Sequence, residues 1–285
     1  MLKIGFIGAG TVGTALATRL RSQGYTIAGV ASRSPSSAQR LSQAVGGAPV
    51  LTPDGVAAAA ELVFLTTPDD VIATVASQVK WHPGSRVVHC SGAASTDILE
   101  PARQAGAQVG TFHPLQTFAS VREAIDNMPG STFALEGEEP LLSTLQKLAT
   151  DLGGTSIVLK SRDKVVYHAA AVMACNYFVT LVKLATDLWQ TFGVPREQAT
   201  QALLPLLRGT LHNIERVGIP NCLTGPIARG DIGTIKKHLE ALQELAPEVV
   251  STYRELGLQT VPVSLAKGKI KSERVSELLR VLSPK

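Results

Sequence analysis

The chain has 285 residues, of which 45% are hydrophobic and 18% charged, so it is long enough for two domains and has an ordinary globular composition. The net charge is only +4 and the 27 basic residues are scattered, which argues against nucleic acid as a partner and leaves a weak bias toward an anionic ligand. Three widely spaced cysteines, no long apolar run and no signal-peptide pattern predict a cytoplasmic protein without a bound metal or a membrane segment.

A glycine-rich turn joins the first predicted strand to the first predicted helix. The sequence over 4–15 is IGFIGAGTVGTA, which places a G-x-G-x-x-G motif between them. In such a turn Gly8 permits the tight bend, Gly10 lets a pyrophosphate approach the backbone, and Gly13 lets the helix pack on the strand. The motif predicts a dinucleotide site built from Gly8, Ala9, Gly10, Thr11, Val12 and Gly13.

Up to residue 160, short apolar runs alternate with helical patterns, which predicts a doubly wound, mostly parallel sheet. Ser34 is a predicted N-cap, with Pro35 in the first helical position. The Pro- and Gly-rich stretch 113–131 is predicted to be loop. Strands after the first are predicted at 25–31, 49–51, 61–67, 86–91, 108–112, 132–135 and 156–159.

The end of the second predicted strand indicates which dinucleotide binds. NAD-preferring sites usually carry an acidic residue there, whereas this chain has Ser32, Arg33 and Ser34 and no Asp or Glu before Asp54. A guanidinium pairs well with a ribose 2′-phosphate, and the serines supply hydroxyl donors. The alternative, a solvated arginine beside a helix cap, is compatible with this role. The pattern predicts NADP.

Two later strand ends are expected to face the same crevice. The fourth predicted strand ends in Thr66, Thr67 and Pro68, whose backbone should lie beside the nicotinamide half of the cofactor. The next strand ends near Ser91, another predicted cofactor contact. Cys90 beside it is interpreted as a buried small residue and not as a reactive thiol.

After Lys160 the pattern becomes all-helical, which predicts an NADP-binding domain over 1–160 and a helical substrate and dimerisation domain over 161–285. The stretch 163–192 contains no Pro or Gly and predicts one helix of about 30 residues, about 45 Å long. This length exceeds what a small domain needs, so part of the helix is expected to pack on a second subunit. Further helices are predicted at 196–216, 232–256 and 271–282, with a loop over 218–231.

Hydride reduction of a carbonyl or imine needs a proton donor and a group that polarises the double bond. His168 is the predicted donor because imidazole titrates near neutral pH. Lys164 lies one turn away on the same helix face, and Asn176 is a polar residue in an apolar stretch, so both are candidate catalytic residues. A packing histidine, a solvated lysine and an asparagine bonded to another helix are the structural alternatives. On one continuous helix Lys164 and Asn176 would lie about 18 Å apart and could not bind one carbonyl together.

Three further residues are predicted to bind substrate. His113, followed by Pro114, comes at a strand end and should face the crevice, although a bond to backbone explains it equally well. Gln116 is expected to line the same pocket. Arg229, in a Gly/Pro-rich loop, is predicted to bind a substrate carboxylate, with an ion pair to Asp231 as the alternative.

The motifs together resemble a known family. The strand-end series GFIGAGTVG, SRS and TTPDD is similar to the pyrroline-5-carboxylate reductase and 6-phosphogluconate dehydrogenase-like superfamily. HPLQTF (113–118), KVVYHAAA (164–171) and TGPIARGD (224–231) resemble the Rossmann-like/DUF2520 family over essentially the whole chain. The resemblance implies an NADP-linked oxidoreductase whose helical C-terminal domain forms a homodimer and closes the active site. Cys175 stands where the family leads us to expect serine.

The residues and the resemblance predict an NADP-dependent reductase of a small carbonyl compound. A 2-oxo acid such as ketopantoate is the named candidate, because some relatives are associated with its reduction. The alternatives are an imine reductase, a deazaflavin-linked NADP reductase, and a non-catalytic NADP-binding sensor or scaffold. The polar groups His113, Lys164, His168 and Asn176 favour catalysis, since a sensor has little use for titratable groups at the crevice.

Overall fold

The structure is a computed structural model that describes residues 2–283, and its contacts divide the chain into two compact units, Met1–Asn176 and Tyr177–Lys285. The predicted boundary lay at 160/161. The helix that was expected to open the second domain therefore belongs to the same unit as the sheet, which matters because it carries His168.

The first unit is built on a seven-stranded sheet in the order β2-β1-β3-β4-β5-β6-β7. Only β5 and β6 pair antiparallel, so the predicted mostly parallel, doubly wound sheet is confirmed. The strands are β1 (Lys3–Ile7), β2 (Thr26–Ala31), β3 (Leu62–Leu65), β4 (Arg86–His89), β5 (Gln108–Leu115), β6 (Thr132–Gly137) and β7 (Thr155–Val158). The helices are α1 (Thr11–Ser22), α2 (Pro35–Ala44), α3 (Pro53–Ala59), α4 (Ile72–Gln78), α5 (Glu100–Gln104), α6 (Val121–Asn127), α7 (Leu141–Asp151) and α8 (Lys164–Ala174).

Phenylalanines from four strands pack in a row across one face of the sheet. The ring centroids of Phe6 and Phe64 lie 5.2 Å apart, and those of Phe112 and Phe133 lie 4.7 Å apart. Helices α1, α6 and α7 cover this row, while aliphatic side chains pack under α3, α4 and α5 on the opposite face. Because both faces are covered, polar functional groups of this unit are expected at the ends of the strands.

Two predictions for the first unit are wrong in detail. The strand expected at 49–51 is a single bridge between Val30 and Val50. The stretch 113–131 is not all loop, because β5 continues to Leu115 and α6 follows. Ser120 caps α6 by accepting a hydrogen bond from the Glu123 amide, a serine–glutamate spacing typical of helix starts that the surrounding Pro and Gly obscured.

The single long helix predicted over 163–192 is also wrong. It is interrupted at Cys175, whose φ of −113° and ψ of −67° depart from helical values, and a new helix begins at Asn176. No Pro or Gly marks the break, so composition does not predict it. The helix predicted over 232–256 is divided as well, because Pro247 lacks an amide donor and restricts the backbone of Ala246.

The second unit is all-helical. Its core joins Ile235, Leu239, Val261, Leu278 and Leu282, and Gly257 lets the Leu282 side chain approach the backbone closely. The predicted 218–231 loop contains one short helix. The helices are α9 (Asn176–Gln190), α10 (Arg196–Val217), α11 (Pro226–Arg229), α12 (Ile232–Leu245), α13 (Val250–Ala266) and α14 (Ser272–Leu282).

One stretch of the chain is more apolar than the sequence prediction allowed. The 30 residues over 161–190 are long and apolar enough to cross a membrane by length and composition, with a mean hydropathy of 1.6 in the best 18-residue window. None of that window is buried within the chain. Exposed apolar surface of this extent is typical of protein–protein or membrane contact sites.

Candidate functional site

The glycine-rich turn lies at the carboxyl end of β1, against the segment that follows β3. Gly8 has a φ of +115°, and a Cβ there would lie 2.5 Å from the Thr66 carbonyl carbon. A Cβ on Gly13 would overlap the Thr66 hydroxyl and the Gly8 carbonyl. At Gly10 a Cβ would meet nothing within 4 Å. Two glycines are thus required by packing, and the third leaves open space.

The geometry at this turn fits a dinucleotide phosphate. Helix α1 begins at Thr11 with no acidic residue in its first turn, so its unpaired amides face the opening beside Gly10. The Thr66 hydroxyl is used by the protein itself, since it donates to the Gly8 carbonyl over 2.7 Å. The Thr67 hydroxyl is buried and has no partner within residues 2–283, which leaves it for a bound group. Pro68 after it is exposed.

The end of β2 presents Arg33 to solvent. The Ser34 hydroxyl accepts from the Ser37 amide as the N-cap of α2, which confirms the predicted cap, and the Ser32 hydroxyl accepts from the Ser34 amide over 3.3 Å. Arg33 forms no ion pair with any residue that the structure describes. Its guanidinium is free for an anionic group at this strand end.

Ser91 ties together the segments that follow β3 and β4. Its buried hydroxyl donates to Asp69 Oδ2 over 2.6 Å and accepts from the Ala94 amide over 3.1 Å. The hydroxyl predicted to contact the cofactor is therefore already engaged within the protein. A cofactor contact at Ser91 would have to come from its backbone.

His89 was not singled out in the sequence, although it is buried at the end of β4. Its Nδ1 accepts from the Ser91 amide over 3.1 Å, so its Nε2 carries the proton and donates to the Ser95 carbonyl at 3.0 Å. Burial lowers the pKa of His89 to about 4, so the ring is neutral at pH 7. Burial also raises the pKa of the neighbouring Cys90 thiol, in keeping with an inert residue.

Two imidazoles and a phenol meet beside the loop after β4. Tyr167 and His168 lie on α8, His113 on β5, and we call them, with Gly92, the histidine cluster. His113 Nδ1 lies 2.8 Å from the Tyr167 hydroxyl, and the two histidine rings are 5.9 Å apart at an angle of 84°. A Cβ on Gly92 would lie 2.5 Å from His168 Nδ1 and 2.8 Å from His113 Nε2. Only glycine lets both rings approach this loop.

The electrostatics of the His113–Tyr167 pair favour neutral side chains. Burial, followed by the charges of His168 and Lys164, lowers the pKa of His113 to about 4. Burial raises the pKa of Tyr167 to about 12. At pH 7 the hydrogen bond between them therefore joins a neutral imidazole and a neutral phenol. The prediction that His113 would bond to backbone or contact substrate missed this side-chain partner.

One ring nitrogen of His168 is enclosed by the protein. Its Nδ1 is buried against Gly92 and has no hydrogen-bond partner in the part of the chain that the structure describes. Nε2 is therefore the ring atom that can reach a bound molecule. The side chain as a whole is partly exposed, as a proton donor to a small substrate must be.

Lys164 is neither exposed to solvent, as one alternative predicted, nor free to donate to a substrate. It is 1% exposed, its Nζ donates to Thr111 Oγ1 over 2.9 Å, and Glu136 Oε2 lies 3.8 Å away. The carboxylate of Glu136 also accepts from the Thr96 amide and hydroxyl and from the Ser161 hydroxyl. Burial lowers the pKa of Lys164 although the carboxylate opposes that shift. The predicted direct catalytic role does not fit this location.

Gln116 braces its own loop. Its Nε2 donates to the Asn127 carbonyl over 3.1 Å and to the Ser131 hydroxyl over 3.3 Å, and its Oε1 accepts from the Thr117 amide. Both ends of the amide are occupied, so the substrate contact predicted for Gln116 is not supported.

The remaining two predicted residues lie at or beyond the end of the first unit. Asn176 is exposed at the start of α9, beyond the break at Cys175, so it does not share one continuous helix face with His168. Arg229 is exposed in the second unit. Asp231 caps α12 through Thr234, whose hydrogen bonds, followed by the charge of Arg229, lower the pKa of Asp231. No salt bridge between Arg229 and Asp231 is found among the described residues. Substrate roles for Asn176 and Arg229 stay predictions.

Comparison with known families divides the chain in two. A Rossmann-like domain matches residues 1–114, and the domain of unknown function DUF2520 matches residues 131–260. A search of curated proteins finds no match.

Solved structures resemble the chain along nearly its whole length. BF3122 of Bacteroides fragilis, described as an NADP oxidoreductase, is 25% identical with a TM-score of 0.71, covering 94% of this chain and 98% of its own. TM1727 of Thermotoga maritima is 27% identical with a TM-score of 0.66, and each chain is covered to 98%. A reductive aminase of Aspergillus terreus in complex with NADPH and ethyl levulinate is 18% identical with a TM-score of 0.68, again with 98% of each chain covered. The fold is that of nicotinamide-dependent oxidoreductases.

Proposed function

We propose that this chain, which belongs to the Rossmann-like/DUF2520 family, is an NADPH-dependent reductase of a small carbonyl or imine compound. The observation that carries the proposal is the histidine cluster at the carboxyl edge of the sheet. The glycine turn follows β1, and Gly92 follows β4 only two strands away, so both belong to the edge where doubly wound sheets bind ligands.

The chain's own residues would bind the cofactor and handle the proton. The amides of α1 hold the phosphate half of the cofactor, and the nicotinamide, when bound, supplies the hydride. With its ring protonated, His168 would give the Nε2 proton to the substrate oxygen or nitrogen as the neighbouring carbon receives the hydride, become a neutral imidazole, and then regain a proton from water. The neutral His113–Tyr167 pair orients the site without placing a competing charge beside it.

For the substrate we propose a small 2-oxo acid, with ketopantoate as the first compound to assay. The second candidate is an imine. The observation favouring it is that the His113–Tyr167 pair is neutral and that Lys164, the cation beside it, is engaged by Glu136. The Aspergillus terreus reductive aminase, which has this fold, was solved with NADPH.

The proposal is tested by following NADPH absorbance with a panel of 2-oxo acids, aldehydes and cyclic imines, and of ketone–amine mixtures. Turnover of one class identifies the substrate. Tight NADPH binding without turnover of any member would favour a sensor or scaffold and contradict the reductase. A deazaflavin acceptor belongs in the same panel, because it takes hydride from NADPH without needing a proton donor for a carbonyl oxygen.

The cofactor preference is predicted to depend on Arg33. Arg33→Asp replaces the free cation with a carboxylate that repels a 2′-phosphate and accepts from a ribose 2′-hydroxyl. We expect the Kd for NADPH to rise about 10- to 100-fold, which corresponds to the free energy of roughly one charge-assisted hydrogen bond. The Kd for NADH should change little. Calorimetry with both nucleotides measures this, with the exposed Arg40→Asp on α2 as the control. An unchanged preference would contradict the NADP assignment.

A second copy of the chain is the proposed partner for the exposed apolar helices. Helices α9 and α10 bury little of their own surface: among their described residues only Thr186 on α9 and Ala199 on α10 are buried. Asp187 pairs with Lys183 at 2.6 Å and with Arg196 at 2.9 Å, charges that suit a protein surface better than a lipid core. The exposed large apolar side chains are Tyr177, Phe178, Val179 and Leu181 on α9 and Leu206, Leu211, Ile214 and Val217 on α10.

We expect the protein to elute as a dimer and Leu206→Glu to shift it toward monomer, because a carboxylate would be buried without a partner. Leu206 is 65% exposed in the single chain. Leu245→Glu, on a side chain that is 57% exposed at the end of α12, should leave the mass unchanged. Light scattering gives the masses. A wild-type monomer, or cosedimentation with lipid vesicles, would contradict the dimer.

A further inference from the structure

Two side-chain hydrogen bonds join helix α8 to β5, and successive partners are one turn apart on the helix and two residues apart on the strand. Lys164 Nζ donates to Thr111 Oγ1 over 2.9 Å, and one turn later the Tyr167 hydroxyl lies 2.8 Å from His113 Nδ1. Thr111 and His113 are two residues apart on the strand and therefore lie on the same face of the sheet. Lys164 and Tyr167 are three apart on the helix and share one face. The two bonds fix the helix along the strand.

The first of these bonds has a rigid support. Glu136 pairs with Thr111 across β5 and β6, and three donors from Thr96 and Ser161 hold its carboxylate. The Lys164 ammonium lies 3.8 Å from this carboxylate, and the lysine is only 1% exposed. Moving the ammonium would leave the carboxylate buried without its countercharge, so the lysine is held in place.

We propose that Lys164 is a positioning residue, whose ammonium, held by Thr111 and Glu136, sets the register of α8 so that Tyr167 meets His113 and His168 meets Gly92. The inference rests on the proposed function, in which His168 is the proton donor. His168 lies four residues after Lys164 on the same face, so a shift of the first turn displaces its ring directly. Displacing a reacting group by about 1 Å can cost about 100-fold in rate.

The same ammonium also acts on the cluster through its charge. The groups that face His113 are Lys164 and His168 from α8, His89 from β4, and Asp69 from the turn after β3. The three bases lower the pKa of His113 and the carboxylate opposes them, while burial has the largest effect. Removing the Lys164 charge should therefore raise the pKa of His113 above about 4.

The test uses the full chain with the paired substitution Lys164→Met and Glu136→Gln, which removes both charges with little change in volume and leaves no buried ion unpaired. We expect kcat to fall about 10- to 100-fold with KM and NADPH affinity within twofold, since only alignment is lost. In a His168→Asn background the same pair of substitutions should have no further effect, because Lys164 acts through His168. Thr111→Val removes only the hydroxyl that accepts from Lys164 and should also lower kcat. It is the variant to use if the paired variant does not fold.

Two kinetic results would overturn the proposal. Wild-type kcat in the paired variant means that the ion pair serves packing alone. A loss that persists undiminished in the His168→Asn background means that Lys164 acts on the substrate itself.

Nitrogen NMR of labelled histidine separates this inference from the proposed function. In the paired variant the His113 Nδ1 signal should lose its hydrogen-bonded shift, and the pKa of His113 should rise. If the wild type reduces none of the compounds tested, the proposed function fails while these NMR changes still support the positioning of α8. Unchanged His113 signals would overturn the positioning role whether or not the wild type is active.

Discussion

Replacing His168 with asparagine is expected to lower kcat by about 10²- to 10⁴-fold, the range in which a positioned general acid contributes. Asparagine keeps a polar group of similar reach on α8 but cannot give up a proton near pH 7. NADPH affinity should stay within twofold, because the glycine turn belongs to different elements of the first unit. Single-turnover measurements at saturating NADPH separate the chemical step from binding and product release.

The second unit supplies a matched control for this substitution. His238 also bonds a tyrosine hydroxyl, that of Tyr253, over 2.8 Å, with the rings 5.9 Å apart at 86°. The pair reproduces the His113–Tyr167 geometry at a position distant in sequence from the cluster. His238→Asn should leave kcat unchanged. Equal losses in the two variants would show that the effect of His168→Asn is structural, and full activity in His168→Asn would remove it as the donor.

Gly10→Ala is expected to weaken NADPH binding about 10- to 100-fold, the equivalent of about 1.4 to 2.7 kcal/mol, without destabilising the protein. The new methyl group would meet nothing within 4 Å in the free protein, and the backbone at Gly10 has a φ of −81°, which alanine adopts freely. It would, however, fill the space through which a pyrophosphate approaches the amides of α1. Titration by nucleotide fluorescence, with thermal unfolding alongside, measures both effects.

Gly209→Ala is the control for the glycine turn. Gly209 lies inside α10, and a Cβ there also meets nothing within 4 Å. It should leave NADPH affinity unchanged and increase stability slightly, since alanine favours helix. Undiminished binding by Gly10→Ala would mean that the phosphate lies elsewhere.

The parallel-sheet half of the fold was predictable because its signals are local. The G-x-G-x-x-G turn, the Ser34 cap and the alternating apolar runs each depend on residues a few positions apart. The strands they predict are present, except the one at 49–51. The break at Cys175 carries no such local signal. Ser120 and Glu123 carry such a signal for α6, but Pro114, Pro129 and Gly130 in the same stretch favour a loop.

The site was predicted less well because its geometry depends on contacts between distant segments. His113 and Tyr167 are 54 residues apart in the chain, and Lys164 and Thr111 are 53 apart. A sequence motif can show that a lysine and a histidine share one helix face, but not that the lysine is buried against a carboxylate on β6. Tyr167 lies within the KVVYHAAA segment, and only the structure distinguishes it from its neighbours.

The bonds of Ser91 and His89 bear on the entropy of cofactor binding. Ser91 holds Asp69 after β3, and His89 holds the Ser95 carbonyl, so two of the segments that border the crevice are already ordered in the free protein. A ligand that binds there does not have to order mobile loops. In flexible sites that ordering opposes binding by about 0.5–1.5 kcal/mol for each immobilised side chain. These segments lose their conformational entropy when the chain folds and not when the cofactor binds. The affinity is therefore set mainly by the contacts that the ligand makes.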